Sequence, residues 1–331
     1  MALVLLLLLA ADASGRTAAV GRRHPPLLPI LPLPRTWVAQ GAVSATLDAR
    51  TFGFSSAHQE SDVLRAALER YAALTFPHSG ALNAGVAGAV GMRVNVSDPV
   101  APLALHANES YVLSVAASGT ATCASPTVWG ALHCLESFSQ LVSYDFYSQV
   151  YRTPPVLPLR IADEPRFAHR GVMLDCSRHF LPIAQLQSMV DSLAFAKMNV
   201  LHLHLTESDS FPMPSRVHPE LPQLGAFSSR EQYSWADMEG LLEYGRQRGV
   251  RVLPEFEMPG HSGAWKHSHP EIFADMESTA HPPCCSEAGG SCHLWPSNAP
   301  CPGTCFGQNH LVVQVNLQSC LPIVRLSLQM P

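Results

Sequence analysis

Three polar signatures between residues 169 and 261 hold the side chains whose types and spacing could do chemistry. They are His169-Arg170-Gly171-Val172-Met173-Leu174-Asp175-Cys176-Ser177-Arg178-His179, His202-Leu203-His204-Leu205-Thr206-Glu207, and Pro254-Glu255-Phe256-Glu257-Met258-Pro259-Gly260-His261. Arg178 offers a planar guanidinium fork that can grip two vicinal hydroxyls, or form an ion pair with Asp175. Glu207, Glu257 and His261 add two carboxylates and an imidazole. His202 and His204 are two apart in a strand and share one face. A metal pair there would need further ligands from later strands, and the sequence supplies none. Neutral histidines packed inside a barrel are expected instead, with no metal and no cofactor. Trp265 follows His261 and is either a platform for a sugar face or a packing residue of its loop.

Each signature reads as a buried strand ending in polar residues, with helical stretches between. Such alternation implies parallel strands joined by crossovers, and chemistry collects at the C-terminal ends of strands in a barrel built this way. Pro182 can open a helix with the stripe Ile183, Leu186, Met189, Val190, Leu193 and Met198. Asn199 to Leu205 is the second strand. Ser234 can cap a helix carrying Met238, Leu241, Leu242 and Tyr244, which ends near Arg246, Arg248 and Gly249. Arg251 to Phe256 is the third strand. Upstream, Arg22 to Arg35 reads as an extended lead-in strand. An amphipathic helix spans Asp62 to Leu74. Gly91 to Val96 and Tyr111 to Ala116 alternate like strands. Ser125-Pro126 opens a helix with the stripe Val128, Leu132, Leu135, Phe138 and Leu141.

The chain resembles the β-N-acetylhexosaminidases of glycoside hydrolase family 20. The resemblance rests on the phrases at 169–179, Lys197-Met198-Asn199-Val200-Leu201-His202 with His204, Ser210-Phe211-Pro212, and Pro254-Glu255-Phe256 with Pro259-Gly260-His261. An upstream phrase, Val128-Trp129-Gly130-Ala131-Leu132 with Leu135-Glu136-Ser137-Phe138, looks like the end of the small domain that precedes the barrel in this family. The resemblance implies an α/β fold: a partial (β/α)8 TIM barrel, its first three β/α units, preceded by a small α+β N-terminal domain. It also implies hydrolysis of terminal β-linked N-acetylglucosamine or N-acetylgalactosamine from glycans. The nucleophile is then the substrate's own acetamido oxygen, outside the two-carboxylate scheme.

By that resemblance Arg178 takes the 3- and 4-hydroxyls of the terminal sugar, and Glu207 and His261 support the catalytic acid through hydrogen bonds. Glu207 and Glu257 stand where the family has aspartates, each longer by one methylene. Asp209 is a stand-in for Glu207 if its loop is shifted. The family's acid and its acetamido-orienting partner form an adjacent Asp-Glu pair on the fourth strand. Here the only Asp-Glu is Asp163-Glu164, ahead of the barrel. The residues from His169 to Pro331 also fall short of the about 250 of an eight-unit barrel. The expectation is a truncated family member without the catalytic pair, a glycoside hydrolase by family that is itself inactive. The alternatives are a non-catalytic fragment that binds sugar or pairs with a family member as a dimer, and a metal-dependent hydrolase.

The domain reading is 1–22 signal peptide and lead-in, 23–152 N-terminal domain, 153–301 barrel portion, and 302–331 an unmatched tail. The apolar run from Met1 to Ala10, with Ala11-Asp12-Ala13 behind it, reads as a secretory signal too short to span a bilayer, although no Lys or Arg precedes it. Asn95-Val96-Ser97 and Asn108-Glu109-Ser110 are glycosylation sequons. Five of nine cysteines, Cys284, Cys285, Cys292, Cys301 and Cys305, crowd one loop and suggest disulfides. The expected location is the secretory pathway: extracellular, lysosomal or vacuolar, without a transmembrane anchor. A formal charge of −5 gives no basic footprint for nucleic acid.

Overall fold

A computed structural model describes residues 28–58, 60–78, 91–257 and 260–272. The expected signal segment, the cysteine-rich loop and the tail from 302 lie outside the described residues.

The N-terminal unit runs β1 (Thr36–Val43), β2 (Thr46–Leu47), β3 (Gly53–Ser56), α1 (Asp62–Thr75), β4 (Gly91–Asp98), β5 (Tyr111–Val115), β6 (Ala121–Thr127), α2 (Val128–Leu141), β7 (Ser143–Asp145), β8 (Val150–Arg152) and β9 (Leu157–Asp163). Six strands form one sheet in the order β1-β9-β5-β6-β4-β3, and β2, β8 and β7 form a second of three strands. In β4, Met92, Val94 and Val96 are buried while Arg93, Asn95 and Ser97 are exposed. This alternation marks a sheet covered on one face. The cover is α1 and α2. Ser61 caps α1 by accepting from the Leu64 N–H, and the helix buries Val63, Leu64, Ala67 and Tyr71.

Three expectations for this unit need correcting. The Ser125-Pro126 pair does not open α2. Both residues belong to β6, which is held in the ladder between β4 and β5, and Thr127 caps the helix instead. Of the extended lead-in, the described residues 28–35 hold no strand, and the first described strand begins at Thr36. The chain after 152 returns to the N-terminal sheet as β9, antiparallel to both β1 and β5, so the unit continues to Asp163. A disulfide joins Cys123 of β6 to Cys134 of α2, a pairing that the sequence reading did not identify.

The second unit has β10 (Gly171–Asp175), α3 (Ile183–Phe195), β11 (Val200–His204), α4 (Glu220–Gly225), α5 (Trp235–Arg246), β12 (Arg251–Glu255) and two 3-10 turns, Gly263–His267 and Pro270–Ile272. The three strands are parallel in the order β10-β11-β12. Ser234 and Asp237 form a reciprocal capping box at the start of α5. Register fixes what faces where. Leu201, Leu203 and Val252 point toward α3 and α5 and are buried there. The alternate rungs, Met173–His202–Leu253 and Asp175–His204–Glu255, line the other face, the interior side of a (β/α)8 barrel. This is an N-terminal α+β domain followed by part of a TIM barrel. No described helix is long and apolar enough to cross a membrane.

Candidate functional site

The site forms where β10, β11 and β12 end. Asp175, the last residue of β10, accepts the backbone N–H groups of Ser177 and Arg178 on Oδ1, at 3.1 and 2.9 Å. Its Oδ2 receives Arg178 Nη1. Arg178 Nη2 donates to Glu207 Oε1, beyond β11, and lies 3.2 Å from His261 Nδ1, beyond β12. The second oxygen of Glu207 pairs with that same His261 nitrogen. Strand-end residues from all three units thus meet in one network. Burial alone would raise Asp175 and lower Arg178. The contacts between them outweigh it, so Asp175 is held below the ordinary carboxylate range and Arg178 above its usual value.

Backbone packing sets this geometry. The Ala264 N–H donates to the Glu207 carbonyl, and the Glu207 N–H to the Ser210 carbonyl. A side chain at Gly263 would strike the backbone of Ser208, so glycine lets the two loops approach. His261 holds a left-handed φ of 52°, uncommon for a side-chain-bearing residue and frequent at functional sites.

On the interior face, His202 Nε2 and His204 Nδ1, the latter level with Asp175, converge on Glu255 Oε2 at 2.8 and 2.9 Å. Burial pushes Glu255 up, and the two imidazoles more than offset it, leaving its carboxyl below the usual range. Only His204 is enclosed. His202 is partly open on the interior face, which corrects the expectation of two packed histidines. At this end of the strands, the described residues that could hold a metal ion are not the His202–His204 pair but His204, Glu257 and His261, whose ligand atoms lie within 4.8 Å of one another.

Residues 167–322 match the catalytic domain of glycosyl hydrolase family 20, and residues 30–141 match the beta-acetyl hexosaminidase-like family. The chain belongs to glycosyl hydrolase family 20. It is 34% identical over 245 residues to beta-hexosaminidase subunit B1 of Dictyostelium discoideum, covering 74% of this chain and 43% of that protein. It is 44% identical over 174 residues to human beta-hexosaminidase subunit beta, covering 53% of this chain and 30% of that one. Among solved structures, the Flavobacterium johnsoniae chitobiase aligns with a TM-score of 0.62 at 29% identity, over 74% of this chain and 37% of that one. The chain spans less than half the length of these relatives. The family 20 match runs past 301 into the stretch expected to match nothing.

In this family 20 chain, the expected residues Arg178, Glu207 and His261 come together. Glu207, not Asp209, makes the contacts. Trp265 does not join them. It is 2% exposed, edge-on to Phe211, with Nε1 buried and unpaired among the described residues. An indole with no open face offers no sugar platform, so of its two readings the loop-packing one fits its surroundings. Asn95 and Asn108 are both exposed, and the Asn108 side chain accepts from the Ser110 N–H and hydroxyl.

The sequence reading missed a set of buried polar residues under the barrel floor. Arg170 Nη2 meets Glu109 at 2.8 Å, Asn199 Nδ2 donates to the same carboxylate at 3.2 Å, and Lys197 Nζ meets Asp163 and the Tyr111 hydroxyl. Burial raises Glu109 above its ordinary value, against the pull of Arg170 and Asn199. Arg170, Lys197 and Asn199 were marked in the sequence only by membership in the His-Arg-Gly and Lys-Met-Asn phrases. The set ties the barrel floor to the N-terminal sheet.

Proposed function

We propose that this chain carries the sugar-recognising first part of a glycoside hydrolase that removes terminal N-acetylglucosamine or N-acetylgalactosamine by substrate-assisted catalysis. The observation that carries the reading is Arg178. Its guanidinium is fixed between Asp175 and Glu207 at the ends of the parallel strands, yet its side chain stays 35% exposed. A planar fork held in place and still open to solvent suits two vicinal ring hydroxyls. Glu207 and His261 hold it there and supply the hydrogen-bonding surround of a catalytic acid. The sequence has no Asp-Glu pair after His261, so the chain by itself binds sugar without turning it over.

The test has two arms. Hydrolysis of a chromogenic N-acetylglucosaminide by the purified chain should equal buffer. Saturation-transfer NMR should show N-acetylglucosamine contacting the chain, with binding weakened about tenfold or more in Arg178→Lys, because an ammonium cannot replace the fork. Turnover that survives removal of co-purifying enzyme overturns the inactive reading. Sugar binding equal in both proteins overturns the role of Arg178. The exposed sequons at Asn95 and Asn108 and the Cys123–Cys134 disulfide support passage through an oxidising secretory compartment.

A further inference from the structure

A second cluster of metal-ligating side chains lies outside the Arg178 network. His218 Nδ1 and His269 Nε2 both point at one oxygen, Glu220 Oε1, each at 3.1 Å. The two imidazoles stand nearly perpendicular, at 85°. One ligand atom from each of the three residues falls within 4.8 Å of the others. The fourth member is Glu271, whose Oε1 lies 3.0 Å from Nδ1 of His269, the nitrogen facing away from the cluster.

From this arrangement we propose that His218, Glu220 and His269 form a binding site for a divalent transition-metal ion of the zinc type, with Glu271 orienting His269 from outside. Two ligands of a tetrahedral zinc ion, at bond lengths of about 2.0–2.2 Å, stand roughly 3.3 Å apart. The observed spacings need little adjustment to reach this. The two imidazole donors favour zinc, nickel or copper over magnesium or calcium, and the carboxylate serves either group. The outer carboxylate distinguishes the site from a chance pair of histidines. It accepts the Nδ1–H of His269 and leaves the Nε2 lone pair for a metal, as metal-bound histidines are held. As hydrogen bonds alone, the same geometry requires His269 to donate from both nitrogens at once.

The site joins two separate segments. His218 precedes α4 and Glu220 opens it, in the connection from β11 to α5, and His269 lies between the 3-10 turns that follow β12. A metal ion there clips together two loops on the rim of the barrel where Arg178 and His261 meet.

The experiment strips the full chain with chelator and titrates it with Co2+, a spectroscopic stand-in for Zn2+. One equivalent should give the visible bands of nitrogen and oxygen ligation, without the intense thiolate charge-transfer absorption that cysteine-bound cobalt shows. The His218→Ala/His269→Ala double variant should lose that equivalent. Glu271→Gln, a change at a 66% exposed side chain that leaves folding intact, should weaken it about 10–100-fold. His261→Ala, which removes the other histidine–glutamate grouping, should retain it. No uptake at micromolar Co2+ or Zn2+, uptake unchanged in the double variant, or loss that follows His261 alone overturns the proposal.

Discussion

The ammonium of Lys197 lies 3.1 Å from Asp163 Oδ2, with their side chains only 5% and 12% exposed. The pair links the turn after α3 to the last residue of β9. It therefore holds the barrel floor against the N-terminal sheet, and Tyr111 bonds to both partners. Lys197 also has a φ of 54°, closing α3 where glycine is the usual residue. The ammonium's reach explains why a lysine occupies a backbone position suited to glycine.

Lys197→Met should destabilise the fold by about 3–5 kcal/mol, the range for removing one partner of a buried ion pair. Lys197→Gly should cost less than Lys197→Met by about 1 kcal/mol, since it relieves the left-handed backbone while losing the same ammonium. Urea unfolding of the three proteins measures both. Equal midpoints for wild type and Lys197→Met would sink the idea that this contact holds the two units together.

His133 gives the fold a dependence on pH. Burial, reinforced by Lys197 and Arg170, pushes its imidazole down to about 3. The unfolded chain takes up a proton near pH 6.5 that the folded chain refuses until about 3. Stability from this residue is thus full above 6.5 and is lost as pH falls, by up to about 1.4 kcal/mol per unit. Glu109 and Glu136 act in the opposite sense. Burial raises both, so their contribution is present below the unfolded carboxylate value and is lost as pH rises through the folded one. Comparing wild type with His133→Gln isolates the imidazole. Melting temperature should fall less in the variant between pH 7 and 5, and parallel slopes would contradict the assignment.

Gly130 should tolerate no side chain. An added Cβ would collide with the Ser110 carbonyl oxygen and Ser125 Oγ, and the first is backbone that cannot swing away. Gly130→Ala is expected to destabilise by about 1–3 kcal/mol through overpacking. Gly240, on α5 with open space around its Cβ position, is the control: Gly240→Ala should stabilise by up to about 1 kcal/mol. Thermal melts of the two variants should move in opposite directions.

The same close approach explains part of what the sequence hid. The inward residues of β6 are Ala121, Cys123, Ser125 and Thr127, small because α2 lies tight against them. Their alternation carries no hydrophobic signal, and Ser125-Pro126 imitates a helix start. β9 was hidden by Pro158, a residue that argues against a central strand. It sits at a register shift, between the pairs Leu157–Val43 and Leu159–Ala39, where no regular ladder bond is required. By contrast, β10, β11, β12 and the helices α3 and α5 were legible because apolar runs and cap residues coincide there. Arg178, Glu207 and His261 were legible one by one as strand-end polar residues. Their meeting was not, since it depends on how the loops after β11 and β12 dock through Gly263.

The extent of β9 changes where the chain should be cut. Two apolar cores exist, one built from residues between Leu28 and Ile161 and the other between Cys176 and Ile272. The first includes Leu157, Leu159 and Ile161 of β9, so a stable N-terminal fragment must retain that strand. Between the cores runs a segment without helix or strand, from Glu164 to Arg170, in which Phe167 is largely exposed. The second core is weaker as a unit. Met173 and Leu253 leave apolar surface open on the interior face, and β10 and β12 each have one unpaired side among the described residues. Limited proteolysis should therefore leave a resistant fragment ending between Glu164 and Arg170, and none ending near Arg152. Mass spectrometry of the fragments locates the cut. A fragment ending at 152, or resistance through residue 272 with a single cooperative melting transition, would show that the two cores do not part along this segment.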